Sequence, residues 1–356
     1  MEIKIISAKE KDWLDKWDDF VLNENKASHL LLSDWNKSFE KYGFIFEICL
    51  LLSENKIVGG FSAVVAKAAI FKFYVVPYGP IISTGYMEQM DRLLAIVKQQ
   101  ARKNNCCYCH VSLPISKNIN KHTFNEILPL VELSDARMGH VFKYVYSSFG
   151  LNWIDLNGFS EESKIMTLKP SVRRNIRNSY RKGLELKRLN TNTEIENGYK
   201  LFLENSKASN YSIRDWGEMK NTLFSLNDKG FLKMLAAYKD GELKGAILLL
   251  KGGNYYTYIL GGSKKEVPDL RTGDFLQWEA IKMSLDEDLD GYNISLGGSI
   301  GVVEFKNSFN TEQFYFKEGS YYWVIKPIYF NLFLALEKHL KPHKKTISKL
   351  LSKLKW

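Results

Sequence analysis

Hydrophobic and polar positions change period several times along the chain. Residues 10–22, EKDWLDKWDDFVL, space their apolar side chains by three and four and predict a helix. A second, shorter helix is predicted over 34–42. From 44 to 77 the sequence FIFEICLLLSENKIVGGFSAVVAKAAIFKFYVVP is rich in β-branched and aromatic residues and breaks at the polar Ser53–Lys56. It predicts a three-strand meander. Residues 87–104 return to helical spacing, with Met90, Leu93, Leu94 and Val97 on one face. The CCYCHVSLP that follows predicts a buried strand ending at Pro114.

The same order recurs in the second half. Residues 194–208 and 215–226 carry helical patterns. FLKMLAAYKDGELKGAILLLKGGNYYTYILGGS predicts strand, D-G turn, strand, G-G turn and strand. RTGDFLQWEAIKMSLDED predicts a helix with Leu276, Ala280 and Met283 inward, and YNISLGG a strand after it. In ISLGGSIGVVEFKNSF, residues 294–309, a strand ends in two glycines and a loop leads to Phe305, Lys306 and Phe309. A repeat at half the length of a 356-residue chain predicts two tandem α/β domains, each a mixed sheet flanked by helices, joined near 155–170.

Charge adds a local feature to this frame. The net charge is +10, but residues 169–188 contribute +7 and residues 341–356 contribute +6, leaving the remainder at −3. Such local charge points to particular phosphate or membrane contacts rather than to general adhesion. In the first segment a helix would align Arg173, Arg177 and Arg181, with Val172, Ile176 and Tyr180 as the adjacent apolar stripe and Gly183 as its stop. Nucleic acid, the phosphates of a small substrate, and plain solvent are the three destinations open to that arginine face. Acidic partners at four-residue spacing are missing, and arginine is the side chain suited to phosphate. In the tail, Ile347, Leu350, Leu351 and Leu354 share one face and lysines the other, the pattern of a basic helix on an anionic membrane surface.

Other chemistries find little support. Cys106, Cys107 and Cys109 alternate along a strand and so do not converge as a C-x-x-C pair does. The six histidines are scattered and form no triad. Walker, dinucleotide and nucleophile-elbow motifs are missing. The charged N-terminus lacks an apolar signal core and no run is long enough to span a membrane, which predicts a cytoplasmic protein. PDLRTGD precedes a helix whose N-terminal amides could hold an anion, but it has few glycines and Asp274 would repel the ligand. Lys306, set between aromatics, could place a cation where negative charge develops.

RRNIRNSYRKGLE, DGELKGAILLL, YYTYILGGS, LQWEAI and LGGS…FKNSF, in that order, resemble the FemABX family of nonribosomal peptidyltransferases. NKIVGGF and VVPYGPI resemble that family's N-terminal domain. The resemblance covers nearly the whole chain and is most specific over 170–310. It implies two GNAT-like domains of the acyl-CoA N-acyltransferase type, at 1–160 and 161–320, with 321–356 packing back on the first. Without a heptad run, the chain resembles the short form that lacks a coiled-coil arm. The implied activity is transfer of an amino acid from aminoacyl-tRNA to an amine of a peptidoglycan precursor, UDP-linked or lipid-linked, by a monomer without metal or resident cofactor.

The resemblance also implies roles for single residues. Phe305 and Lys306 match the family's Phe-Lys motif near the reacting ester. Arg214 matches a contact to the acceptor's phosphates, and Lys37, after Trp35, a first-domain lysine with that role. Tyr258 matches an aromatic of the acceptor cleft. Arg173, Arg174, Arg177 and Arg181 would contact donor RNA. Two departures stand out: Ser295 replaces a frequent acid, removing the obvious base, and Asn310 replaces a frequent glycine. Relatives in polysaccharide synthesis imply a competing expectation, acyl-CoA as donor and an amino sugar as acceptor. A third is a non-catalytic protein that binds RNA or membrane through its basic segments.

Overall fold

The computed structural model describes residues 1–25, 27–114, 137–138, 144–316 and 320–340, the side chains of 138, 339 and 340 excepted. The basic tail 341–356 lies outside the described residues. The first half runs β1 (Glu2–Ile6), α1 (Lys11–Asn23), α2 (Ser33–Lys37), β2 (Ile45–Ser53), β3 (Lys56–Ala68), β4 (Phe71–Val76), β5 (Ile81–Ile82), α3 (Met90–Lys103), β6 (Tyr108–Ser112) and β7 (Arg137–Met138). There follow β8 (Gly150–Asp155), α4 (Glu161–Thr167), α5 (Pro170–Arg181), β9 (Glu185–Arg188), α6 (Asn192–Ala208), α7 (Trp216–Asp228), β10 (Leu232–Lys239), β11 (Glu242–Lys251) and β12 (Tyr255–Ser263). The chain continues through α8 (Thr272–Asp286), β13 (Gly291–Asn293), α9 (Ile300–Asn307), β14 (Glu312–Tyr315), β15 (Ser320–Val324) and α10 (Pro327–Leu340).

Two sheets result. The first has the order β1-β2-β3-β4-β6-β15-β7, with β5 on β3, and the second β14-β8-β13-β12-β11-β10-β9. Each holds an antiparallel meander, then a helix, then a strand parallel to the meander's last: β6 beside β4, and β13 beside β12. The fold is therefore a mixed α/β architecture of two tandem units with helices flanking each sheet. β8, which precedes residue 160, pairs in the second sheet, and β15, which follows the second sheet's last strand, pairs with β6 in the first.

Local chemistry explains the elements. Thr191 and Glu194 form a reciprocal capping box that starts α6, satisfying backbone donors that a helix end leaves open. Pro170 opens α5, where a missing N–H costs nothing. Trp17 of α1 is fully buried and donates its indole N–H to the Leu31 carbonyl at 2.8 Å, so a large apolar ring enters the core with its polar atom paired. The ring lies close to Gly60, whose φ is +153° and where a Cβ would stand 2.1 Å from the Cys49 carbonyl oxygen. All four cysteines are buried and free, and β6 is buried throughout its length.

The structure corrects three local expectations. Residues 300–307 form a helix, α9, rather than a loop. The strand expected across 292–298 stops at Asn293. On α5, Val172 and Ile176 are buried as expected, but the third inward residue is Ser179; Tyr180 is 41% exposed, its hydroxyl donating to Glu279.

The two halves are tied together by polar contacts. Lys229 reaches Asp34 at 2.8 Å and Asp18 at 3.0 Å. Burial works against its charge, yet the two carboxylates hold it protonated above the usual lysine range. Tyr255 donates to the Ala27 carbonyl at 2.8 Å, and the Gly253 amide to that of Val21 at 3.0 Å. At Gly252 a Cβ would stand 2.0 Å from the backbone nitrogen of His29, so only glycine permits this close approach of the halves.

Candidate active site

β12 and β13 run parallel only from Tyr255/Gly291 to Thr257/Asn293. Beyond that point β12 continues to Ser263 while the other chain turns away through Ser295, whose φ is +61°. The register of β12 against β11 shifts just beyond it, between Tyr258 and Leu260. Asn293 braces the parting strands: its Oδ1 accepts from the amides of Asn152 and Ser295, both at 3.0 Å, and its Nδ2 faces Thr257 Oγ1 at 3.4 Å.

The parting leaves a cavity of about 330 Å³ between the two halves. Ser28, His29 and Trp35 line it from the first half, Tyr258, Ser295 and Lys306 from the second. No Asp or Glu lines it among the described residues.

Lys306 is the cation of this cavity. It is 3% exposed; its Nζ donates to Ser295 Oγ at 2.9 Å and to the Gly297 carbonyl at 2.6 Å, and lies 5.4 Å from the centre of the Tyr258 ring. Removal from water, with no carboxylate bonded to it, lowers its pKa from 10.5 to about 8. An ammonium has three N–H donors, so two fixed bonds leave one available to a ligand. The short α9 holds the lysine in place through Phe305, which packs edge-on against Phe309 at 5.3 Å and lies against Gly273 of α8. Phe305 itself is not part of the cavity lining.

The other expected site residues divide. Trp35 and Tyr258 join Lys306 in the cavity. Lys37, two residues after Trp35 on the same short helix, is exposed and lines a separate polar cavity with Asp34, Glu40 and Glu218. Arg214 meets neither Lys306 nor Tyr258. Its guanidinium donates to Ser38 Oγ at 2.7 Å, to the Ser38 carbonyl at 2.8 Å and to the Tyr42 hydroxyl at 3.1 Å, joining the halves beside Lys37. On α5, Arg174, Arg177 and Arg181 are exposed, whereas Arg173 is half-buried with Nη1 at 3.2 Å from Met166 Sδ. None of the four has a carboxylate partner among the described residues.

His29 is the site residue that the scattered histidines concealed. It is 6% exposed, meets Trp35 edge-on at 5.3 Å, and has Nδ1 at 3.5 Å from Ser28 Oγ. Burial lowers its pKa to about 3, so it is a neutral imidazole at physiological pH. The available signal was its place six residues before Trp35 in SHLLLSDW.

The helix end that follows PDLR has no side-chain cap and carries a buried carboxylate. Asp274 lies in the first turn of α8, 7% exposed, and accepts from Asn175 Nδ2 at 3.3 Å. Burial raises its pKa.

Comparison with known proteins agrees with this architecture. Residues 170–307 match the family described as acetyltransferase (GNAT) domain. The solved structure of FemX superposes with a TM-score of 0.77 at 12% identity, covering 93% of this chain and 99% of that one. L-PGS from Bacillus licheniformis gives 0.55 at 10% identity, with 93% and 97% covered. The C-terminal domain of a putative lysylphosphatidylglycerol synthetase from Agrobacterium fabrum gives 0.53 at 13%, with 93% and 96% covered. No curated protein sequence matches the chain. Residues 170–307 thus resemble a GNAT-type domain, set within a tandem fold like that of FemX.

Proposed function

We propose that this protein is an aminoacyltransferase that moves an amino acid from its ester on tRNA to an amine of a peptidoglycan precursor. The observation that carries the reading is Lys306, a desolvated cation with one uncommitted N–H in a cavity between two acyltransferase-type units. The acceptor's neutral amine attacks the ester carbonyl carbon. The C=O electrons move onto oxygen, where the third N–H of Lys306 stabilises the oxyanion. Collapse reforms the carbonyl and breaks the C–O bond to the ribose, whose oxygen leaves with the proton given up by the amine. The product is an amide.

The cavity favours the amine in its reactive form. A buried cation with no carboxylate in the lining disfavours a second ammonium, so an acceptor amine binds better as the free base. Neutral His29 can accept a hydrogen bond from that amine. Arg174, Arg177 and Arg181, exposed and without a carboxylate partner among the described residues, offer donor RNA a phosphate-binding face.

A second reading, acyl-CoA as donor, draws support from the acetyltransferase family match. Asp274 opposes it, because a pyrophosphate seated on the N-terminus of α8 would meet a buried carboxylate. The test supplies tRNA charged with a labelled amino acid together with UDP-linked muropeptide. Label should appear in the muropeptide with the parent protein and fall at least 100-fold with Lys306→Met. Amide formation from acetyl-CoA, with CoA raising the melting temperature and charged tRNA inert, would overturn the proposal.

A further inference from the structure

α10 buries only one side. Phe333 packs into the first half against Phe73 at 4.7 Å and Phe71 at 5.5 Å, and Phe330 stacks on Tyr108 at 4.9 Å. The opposite side is apolar and open: Ile328 is 82% exposed, Leu332 45% and Leu336 40%, with Tyr329 beside them at 48%. Ile328, Leu332 and Leu336 stand at i, i+4 and i+8, one continuous stripe along a helix of 14 residues. A solvated helix places polar residues there.

We propose that this stripe docks the protein onto an anionic lipid bilayer, with α10 lying in the plane of the interface. The occupant is argued from charge. Residues 341–356, directly after α10, carry six lysines and no acid, and the whole chain is at +10. Apolar side chains on a helix beside a lysine-rich segment match a surface of negative headgroups over hydrocarbon. A second copy of the chain would cover the stripe but bring another six lysines against the first. α10 is about 21 Å long at 1.5 Å per residue, short of a bilayer core. Among the described residues no helix is long and apolar enough to cross a membrane. The helix therefore lies on the surface rather than passing through it.

The proposal is independent of the donor, because it concerns where the protein sits. The test is co-sedimentation of the full chain with vesicles of phosphatidylcholine alone or with 30% phosphatidylglycerol (about the anionic content that attracts basic segments), without donor or acceptor. Binding should require phosphatidylglycerol and weaken with salt. Ile328→Glu combined with Leu332→Glu should weaken it at least 10-fold while leaving the melting temperature and transfer to a soluble acceptor unchanged, since both side chains are exposed. Leu332→Gln should give a smaller loss, which guards against a folding defect. Three results would overturn the proposal: no binding to anionic vesicles, binding by the lysines alone that survives both glutamates, or a dimer in solution that these substitutions dissociate.

Discussion

Lys306→Met should stabilise the protein near neutral pH while abolishing transfer. The substitution keeps length and volume and removes the charge. The lysine's pKa falls from 10.5 to about 8 on folding. At about 1.4 kcal/mol per pH unit, burying the ammonium costs roughly 3 kcal/mol at pH 7. Against this, the variant loses the bonds to Ser295 and Gly297. Their loss is worth roughly 1–2 kcal/mol, because Gly297 is exposed and water can replace the donor. The net expectation is a gain of about 1–2 kcal/mol at pH 7.

The pH dependence gives the sharper test. A lysine with a depressed folded pKa imposes its cost fully below about pH 8, and the cost disappears as pH rises toward 10.5. The parent should therefore gain on the variant across that window, and their order should reverse before pH 10.5. Urea titrations of both proteins at pH 7, 8.5 and 10 measure the difference, in which other titrating groups cancel. A stability difference constant from pH 7 to 10 would refute the reasoning, as it would mean that Lys306 titrates alike folded and unfolded.

Further substitutions probe the neighbouring contacts. Ser295→Asp sets a carboxylate beside Lys306 and should raise its pKa, moving the alkaline limb of the kcat/KM profile upward by about one pH unit or more. Arg214→Ala removes the bonds to Ser38 and Tyr42 and should destabilise the protein by about 2 kcal/mol in denaturant titrations. A rise in acceptor KM without loss of stability would instead assign Arg214 to the acceptor. Lys229→Met leaves the buried Asp18 without its cation and should cost about 3 kcal/mol, with partial recovery on adding Asp18→Asn.

The legible parts of the fold were those whose pattern is local. The two meanders announce themselves through alternating β-branched and aromatic runs and through turns such as Glu54–Asn55 and Asp240–Gly241, all at positive φ. β8 was missed, and β15 was expected only as part of a segment packing back on the first half, because their partners are distant in sequence: Trp153 pairs with Asn293, and Tyr322 with His110. α9 escaped notice because Ile300 and Val302 are exposed, so its eight residues show no inward stripe. Lys306 stood out as a lysine among aromatics, and the parting strands give that position its meaning. Trp35 and Lys37 looked alike in sequence, yet positions two apart on a helix face different ways, and only the tryptophan reaches the cavity. For Arg214, whose role the family resemblance implied, the structure adds contacts that no local pattern signals, to Ser38 and Tyr42 of the first half.

The exchange of strands between the halves bears on how the chain is made. Once the ribosome has released residue 315, every strand of the second sheet, β8 to β14, is available. The first sheet, begun at residue 2, still lacks β15 at 320–324. The half synthesised first is thus completed last. Until then the β15 side of Tyr108–Ser112 has no partner in a strand whose five side chains are all destined for the interior. Such an edge recruits other chains. Nascent polypeptides stalled before residue 320 should therefore aggregate far more readily than those released a few residues later.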